Sequence, residues 1–367
     1  MRTRDQAALA RRSLELLLEL QDPGGAFPAG PDFSAYRGFC WFRDGAFIAD
    51  AVSAAGAVAS ATAFHDWCAR FLVSRRAEVA DLVSAVGCGE DPPEGAILPA
   101  RLLLDGTPAN DGWSNFQVDG YGTWLWALAE HVRRHGLDPA RWATAIEVAV
   151  DYLVVMGDRP CYDWWEEDPG QRHVSTLGCV CAGLIAAVDL GTLDLGRRRR
   201  AEVASGRLFA AVVGDAAKRG HLGKVIGRPG IDASALALIG PIRMMPSTSR
   251  FAFATIEQIE QQLVVEGGTH RYPADRYYGG GRWPLLTGFL GLAADAVGRR
   301  ALATACLDWI VDQADDRGRL PEQVGGHLLH PDGLSEWTER WGPPADPLLW
   351  SSAMYVRLAV QLGVAGT

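Results

Sequence analysis

The stretch Tyr162-Asp163-Trp164-Trp165-Glu166-Glu167 separates a helical segment that ends near Met156 from one that begins near Ser175. Indole rings stack well on the apolar face of a sugar ring and form a wall of low dielectric constant. A carboxyl group beside such a wall and beside a second negative charge should have a raised pKa. A general acid needs that property near neutral pH, so the stretch predicts a catalytic acid. The alternative interpretation is a helix N-terminus with acids in its first turn.

Helical periodicity recurs along the whole chain, whereas the period-two alternation of strands is rare, so the sequence predicts an all-α protein. Twelve helical segments are expected over positions 3–20, 45–60, 66–86, 118–136, 139–156, 175–190, 197–218, a short apolar segment from 232, 250–265, a segment from 283, 299–314 and 347–362.

Loops rich in Trp, Arg, Asp and Glu precede every second helix, and the loops before the other helices are short and ordinary. If inner and outer helices alternate around a closed barrel, all of these special loops lie at the same end. We therefore expect one domain, residues 1–367, folded as an (α/α)6 barrel of six helical hairpins. An open helical solenoid is the alternative. Loops on a rigid scaffold commonly carry function, so the shared mouth is the candidate site.

Composition excludes several classes of partner. The formal net charge of -9 argues against nucleic acid, and the basic run Arg197–Arg200 is expected to be a solvated helix face. No signal-peptide pattern follows the N-terminus, and no apolar run is long enough to cross a membrane, so a cytoplasmic protein with no membrane partner is expected. The seven irregularly spaced cysteines do not predict a disulfide framework. A monomer or a small homo-oligomer is expected.

The first two special loops carry groups suited to sugar hydroxyls. In Trp41-Phe42-Arg43-Asp44, the Arg supplies forked donors and the Asp accepts hydrogen bonds. A capped helix with an intraloop ion pair is the alternative for this segment. The next loop offers Trp113, Asn115, Gln117 and Asp119, of which the last is also a typical N-cap.

The later special loops add an aromatic wall and a second carboxylate. Residues 271–283 combine arginines, three tyrosines and flexible glycines, as a sugar-binding wall would. Leu320-Pro321-Glu322-Gln323 supplies a candidate base, Glu322, and Glu336 and Glu339 compete with it farther along. Two carboxylates with many indoles fit hydrolysis of a glycosidic bond. No metal or phosphate motif is found, so no cofactor and no metal are expected.

Taken together, these motifs resemble those of the glucoamylase family of glycoside hydrolases, family 15. They follow one another in the same order as in that family, over nearly the whole chain. Trp41-x-Arg43-Asp44 is similar to the clamp for the non-reducing-end glucose, and Asp163–Glu167 is similar to the acid motif. Arg271-Tyr272-Pro273, with Tyr277-Tyr278 and Trp283, resembles the binding loop. Leu320–Gln323, followed by Leu349-Trp350-Ser351, resembles the segment of the general base.

This resemblance implies a role for each matching residue. Glu166 would protonate the glycosidic oxygen, and Glu322 would deprotonate a water on the opposite face, so that β-D-glucose leaves with inversion. Such a reaction requires carboxyl groups roughly 6.5 to 9.5 Å apart. The implied substrate-binding residues are Trp41, Arg43, Asp44, Trp113, Trp164, Trp165, Glu167, Arg271, Tyr272 and Trp283.

The chain departs from the family pattern in a way that points to a small soluble oligosaccharide. We expect neither the β-sandwich domain of many bacterial members nor a starch-binding module within residues 1–367, and a long insert after Glu322 carries Trp337 and Trp341. Single-domain members that cleave isomaltose or other short α-1,6-glucosides are the nearest likeness. A trehalase or a maltose-type glucoamylase is the alternative within the family. A sugar epimerase would need histidine bases, and His173 and His270 are expected to lie behind the site; a sugar-binding protein would not need both carboxylates.

Overall fold

The computed structural model describes residues 6–93, 95–109 and 111–364. These residues form helices α1 Gln6–Leu20, α2 Phe42–Ala54, α3 Val58–Ser74, α4 Arg76–Gly87, α5 Asp119–His135, α6 Ala143–Met156, α7 Val174–Asp189, α8 Leu195–Arg219, α9 Arg250–Leu263, α10 Pro284–Ala296, α11 Arg300–Gln313, α12 Gly333–Trp341 and α13 Leu349–Gln361. Three 3-10 helices, Pro139–Trp142, Ala233–Leu238 and Tyr277–Gly279, and four short strands, β1 Phe39–Trp41, β2 Arg101–Leu103, β3 Val264–Val265 and β4 Gly268–Thr269, complete the set.

Six elements form a closed inner ring. Helix α2 packs on α5, α5 on α7, α7 on the 3-10 helix Ala233–Leu238, that helix on α10, α10 on α13, and α13 again on α2. Helices α1, α3, α6, α8, α9 and α11 pack outside this ring. The predicted all-α fold, an (α/α)6 barrel of six hairpins, is confirmed.

The difference between the two layers follows from their sequences. Inner helices are apolar nearly all round, and α10 buries every residue from Pro284 to Ala294. Close packing in this layer needs glycine, since a Cβ on Gly183 of α7 would lie 2.3 Å from the carbonyl oxygen of Gly122 in α5. The outer helix α9 buries only one stripe, which includes Ala252, Ile256, Ile259 and Leu263. This spacing is that of an amphipathic helix.

Several predicted boundaries were wrong. The segment predicted at 45–60 ends at Ala54, because Gly56 takes a left-handed conformation (φ 85°) before α3 begins. The segment predicted at 66–86 is two helices, α3 and α4, with Arg75 between them. The eighth segment is a 3-10 helix and not an α-helix. Positions 3–5 of the first predicted segment lie outside the described residues.

The sequence analysis also missed α12 and the strands. Strand β1 pairs antiparallel with β2, with Cys40 opposite Leu102, and β3 pairs with β4. The first pair fastens the long connection between α4 and α5 beside the start of α2. Within the residues that the structure describes, no helix is long and apolar enough to span a membrane.

Candidate active site

The loops that lead into the inner helices converge on a pocket of about 460 Å³, a size typical of small-molecule sites. All the predicted site residues line it except Tyr272. Further residues that the sequence analysis did not single out as site residues also line the wall, and these include Tyr36, Tyr277, Arg340 and Trp350.

Glu166 lies on a tight turn organised by Asp163. The Asp163 carboxylate accepts hydrogen bonds from the backbone N–H groups of Trp165 and Glu167, both at 2.9 Å, and the Glu166 N–H donates to the Asp163 carbonyl at 3.1 Å. Glu166 itself has φ 65°, a left-handed conformation that costs a non-glycine residue on the order of 1–3 kcal/mol. Helix α7 begins only at Val174, so the interpretation of these acids as its first turn is wrong.

Two side chains from other loops fix the carboxylate of Glu166. The indole Nε1–H of Trp41 donates to its Oε1 at 2.8 Å, and the amide Nε2–H of Gln117 donates to the same oxygen at 3.2 Å. These contacts join the mouth loops that precede α2, α5 and α7. The acid candidate is therefore held in one orientation at the pocket wall.

Lys224 supports the same turn from behind. Its ammonium lies 3.0 Å from the Asp163 carboxylate, 3.4 Å from that of Asp232 and 3.7 Å from that of Glu167. Lys224 belongs to the loop before Ala233–Leu238, and Asp232 of the same loop accepts a hydrogen bond from the indole N–H of Trp165 at 2.8 Å. A single lysine in the plain stretch 221–230 carries no local signal, and sequence reasoning missed it.

Tyr272 belongs to this supporting group, and it does not line the pocket. Its hydroxyl donates to Oε2 of Glu167 at 2.5 Å, and its ring lies 3.5 Å from the Lys224 ammonium. Burial raises the pKa of Glu167 above its ordinary value, and Arg271 and the Tyr272 hydroxyl oppose that rise. Tyr272 thus orients a carboxylate that does face the pocket.

Arg43 and Asp44 combine the two interpretations that their sequence left open. They form a buried ion pair, with Nε of Arg43 3.2 Å from Oδ1 of Asp44, and both line the pocket. Nη1 of Arg43 also donates to Gln117 at 2.8 Å and lies 3.2 Å from Asp119. Burial raises the pKa of Asp44 to about 6 against the opposing charge of Arg43. Asp119 is the first residue of α5, and its side chain pairs with Arg43 instead of capping the helix.

The guanidinium of Arg271 is surrounded by aromatic rings. It forms a fork with the carboxylate of Asp275 and lies 5.0 Å from the ring of Trp165 and 5.4 Å from that of Trp283. Its Nη2 stands 3.6 Å from Oε1 of Glu167. Only 3% of Arg271 is exposed, so its orientation is set before any ligand arrives.

Glu322 has a different environment, being 2% exposed. The hydroxyl of Tyr36 donates to its Oε1 at 2.7 Å, and the hydroxyl of Tyr277 lies 3.1 Å from that of Tyr36. Burial raises the pKa of Glu322 to about 7, and the hydrogen bond from Tyr36 opposes that rise. Its second oxygen, Oε2, has no hydrogen-bond partner among the described residues. That oxygen can accept a proton from a bound water.

The other candidates for a catalytic base do not line the pocket. Glu336 and Glu339 are exposed on α12 and do not line the pocket. His173 and His270 contact backbone carbonyls, those of Cys161 and Gly280 respectively, and neither lines the pocket. Over the described ranges, no cluster of His, Cys, Asp and Glu has the arrangement of a metal site.

Comparisons with known proteins show which family the chain resembles. The sequence model of the family described as "Glycosyl hydrolases family 15" matches residues 3–203. The chain is 47% identical to an isomaltose glucohydrolase of Kribbella flavida, over 97% of this chain and 93% of that protein. A solved glycosidase variant in complex with glucose is 46% identical, with 98% of each chain covered and a TM-score of 0.95. A bacterial glucoamylase complexed with acarbose is 19% identical, with a TM-score of 0.74 over 98% of this chain and 56% of that one, and shares the fold.

Proposed function

The chain belongs to glycosyl hydrolases family 15 and is a glycoside hydrolase; from that premise we propose that it releases β-D-glucose from the non-reducing end of small α-glucosides, isomaltose in particular. Glu166 is the general acid that protonates the glycosidic oxygen, and Glu322 is the general base that activates water. We further propose that residues 1–367 form one catalytic domain, because the mouth takes its two carboxylates from distant parts of the chain.

One observation carries this proposal: two carboxylates share a pocket but have different partners. Oε1 of Glu166 accepts hydrogen bonds from two N–H donors, those of Trp41 and Gln117. Oε1 of Glu322 accepts one from a hydroxyl, that of Tyr36, and its Oε2 is buried without a partner among the described residues. A free acceptor with a pKa near 7 suits proton removal from water. An inverting reaction needs this division of roles between two carboxyl groups.

The remaining wall residues bind the terminal glucose. Arg43 and Asp44 offer donors and acceptors to hydroxyl groups, as does the Arg271–Glu167 pair. Trp41, Trp113, Trp164, Trp165 and Trp283 supply ring faces in the same pocket. Charge-assisted hydrogen bonds from side chains that are already fixed cost little conformational entropy on binding.

The choice of isomaltose has two supports. The relative that matches over nearly the full length of both chains is named for that substrate. In this chain, Trp337, Arg340 and Trp341 of α12 line the pocket and narrow its exposed side, which suits a disaccharide better than a polymer.

Proton NMR of the anomeric signals during the first minutes with isomaltose tests the proposal. We expect the β-glucose signal to rise first and the α signal to follow by mutarotation. An initial α signal would mean retention, and the roles given to Glu166 and Glu322 would be wrong. If the protein cleaves maltose or trehalose but not isomaltose, the proposed preference for isomaltose is wrong, and the protein is still a glycoside hydrolase.

A further inference from the structure

Helix α12 carries the third arginine of the pocket, and this arginine differs from the other two. Arg43 and Arg271 are buried, and carboxylates engage both guanidinium groups. Arg340 lies on the exposed rim and also lines the pocket. Among the described residues, no carboxylate lies within ion-pairing distance of Arg340, so its donors are free for a ligand.

The position of Arg340 is nevertheless defined. Its guanidinium lies 5.6 Å from the ring of Trp337 and 5.3 Å from that of Trp341, which are both distances of a cation–π contact. Both rings line the pocket as well. These two contacts restrict the position of the guanidinium, which offers a planar fork of donors.

Helix α12 is itself anchored to the loop 271–283. The ring of Trp337 packs edge-on against Tyr277 at 4.9 Å, and Arg276 forms an ion pair with Asp332 at 2.7 Å. Gly333 permits this contact, because a Cβ there would lie 2.6 Å from the carbonyl oxygen of Arg276. The insert and the sugar-binding loop therefore form one continuous wall, with Arg340 toward solvent.

We propose that Arg340 binds and selects the leaving-group sugar, donating its fork to neighbouring hydroxyls of the ring that is released. This inference rests on the proposed function. The terminal glucose occupies the buried end beside Arg43 and Arg271, so the second sugar must extend toward the exposed rim. At that rim, Arg340 is the cation with free donors, and Trp337 and Trp341 flank it as ring faces.

The test compares two substrates that share the glucosyl group and differ in the leaving group. Isomaltose carries a second sugar, whereas α-D-glucosyl fluoride carries none. We expect Arg340→Gln and Arg340→Met to lower the ratio of kcat/KM for isomaltose to kcat/KM for the fluoride on the order of 10- to 100-fold, as expected when donors of a charged group to a ligand are lost. Arg340→Lys keeps the charge but not the fork, and we expect it to stay at least fivefold below the unsubstituted ratio, about the loss of one hydrogen bond of average strength.

Arg228→Gln is the matched control, since Arg228 is an exposed arginine that does not line the pocket, and its ratio should equal that of the unsubstituted protein. If Arg340→Met keeps the isomaltose-to-fluoride ratio of the unsubstituted protein, the aliphatic part of Arg340 only packs against the indoles, and the inference is wrong. A full ratio in Arg340→Lys would overturn the forked contact. If the unsubstituted protein cleaves neither substrate, the proposed function fails and this inference fails with it; if it cleaves both and every variant keeps the ratio, only this inference fails.

Discussion

The two ends of the barrel differ in their left-handed residues and in how their buried carboxylates are paired. At the mouth, non-glycine residues such as Glu166 and Tyr278 take left-handed conformations, and buried carboxylates face a pocket. At the opposite end, glycines such as Gly136 and Gly298 supply the left-handed turns after the inner helices α5 and α10. Asp50 there is fully paired, with Arg134 at 2.8 Å and Arg357 at 2.9 Å.

The opposite end also contains a row of three histidines, of which His65 and His131 are buried and His135 is half-buried, and none of the three lines the pocket. The rings of His65 and His131 lie 5.2 Å apart, and those of His131 and His135 lie 5.1 Å apart. Ser53 and Thr62 satisfy the two ring nitrogens of His131 at 2.8 and 2.9 Å. His65 is completely buried, and neither of its ring nitrogens has a partner in the described structure.

The clearest contrast is in the charges: Oε2 of Glu322 at the mouth has no hydrogen-bond partner among the described residues, whereas Asp50 at the other end is paired twice. Strained backbone and partly unsatisfied carboxylates at the mouth cost stability, and such features persist where function requires them. Paired charges at the other end serve the fold. We therefore expect substitutions at the mouth to change turnover more than stability, and substitutions at the opposite end to do the reverse.

The largest effect is expected for Glu166→Gln and Glu322→Gln, each of which should lower kcat on isomaltose roughly 100- to 10,000-fold. With α-D-glucosyl fluoride, whose leaving group needs little protonation, Glu166→Gln should recover most of its activity and Glu322→Gln should not. Steady-state kinetics on both substrates and thermal melting measure this. Glu336→Gln is the control, and a loss there as large as in Glu322→Gln would contradict the assignment of the base.

Lys224→Met should have the next largest effect, because the carboxylates of Asp163, Asp232 and Glu167 would then share a site without their counter-charge. We expect kcat to fall about 10- to 100-fold, by analogy with the loss of outer-shell partners that orient metal ligands, with a smaller change in KM. Steady-state measurement of kcat and KM on isomaltose tests this prediction, with Lys218→Met, at an exposed lysine, as the control. Unchanged kcat would show that the turn keeps Glu166 in place without Lys224.

A smaller effect is expected in the dependence of kcat/KM on pH, and its direction is set by the pKa of Glu322. Because burial raises the pKa of Glu322 to about 7, the general base is protonated as the pH falls, and kcat/KM should fall below about pH 7. The Tyr36 hydroxyl stabilises the ionised carboxylate, so Tyr36→Phe should raise the pKa of Glu322 further. We expect the acidic limb of the kcat/KM profile to move to higher pH; a shift to lower pH would contradict the contact.

The smallest effect concerns stability at the opposite end. Burial lowers the pKa of His65 well below its ordinary value and lowers that of His131 to about 4. Above pH 6.5 both rings are neutral in the folded and unfolded chains, but below it only the unfolded chain takes up protons, so the free energy of unfolding falls. His65→Phe removes one such group and should gain stability relative to the unsubstituted protein by up to about 1.4 kcal/mol per pH unit between pH 6.5 and 5.

Urea unfolding at pH 7.5 and 5.5 measures this difference. Activity at pH 7.5 serves as the control, because His65 lies away from the mouth and turnover should stay the same. A stability difference that does not change between the two pH values would show that the His65 ring is protonated in both states or in neither.

Residues with a local signal were found from the sequence. Trp41, Arg43 and Asp44 stand together at the start of a helix, and Trp164, Trp165 and Glu166 stand together in the loop before another. The structure places all six at the pocket. Tyr36 and Lys224 were not found, since each is a single side chain in an unremarkable loop. Tyr36 reaches Glu322 across 286 positions of the chain, a distance over which no sequence spacing is informative.

The sequence by itself determined the helical periodicity and the alternation of plain and special loops. These two properties predicted a barrel with its functional loops at one end. These properties depend on interactions within a few residues, and each segment carries them in its own composition. Only the tertiary structure decided that Glu322 is buried while Glu336 and Glu339 are exposed, and that the Tyr272 hydroxyl donates to Glu167 from outside the pocket. It also decided that Arg340 lies on the rim with no carboxylate partner among the residues described. Burial, orientation and pairing are set by neighbours from distant segments, and the chain acquires those neighbours only when the ring of helices closes.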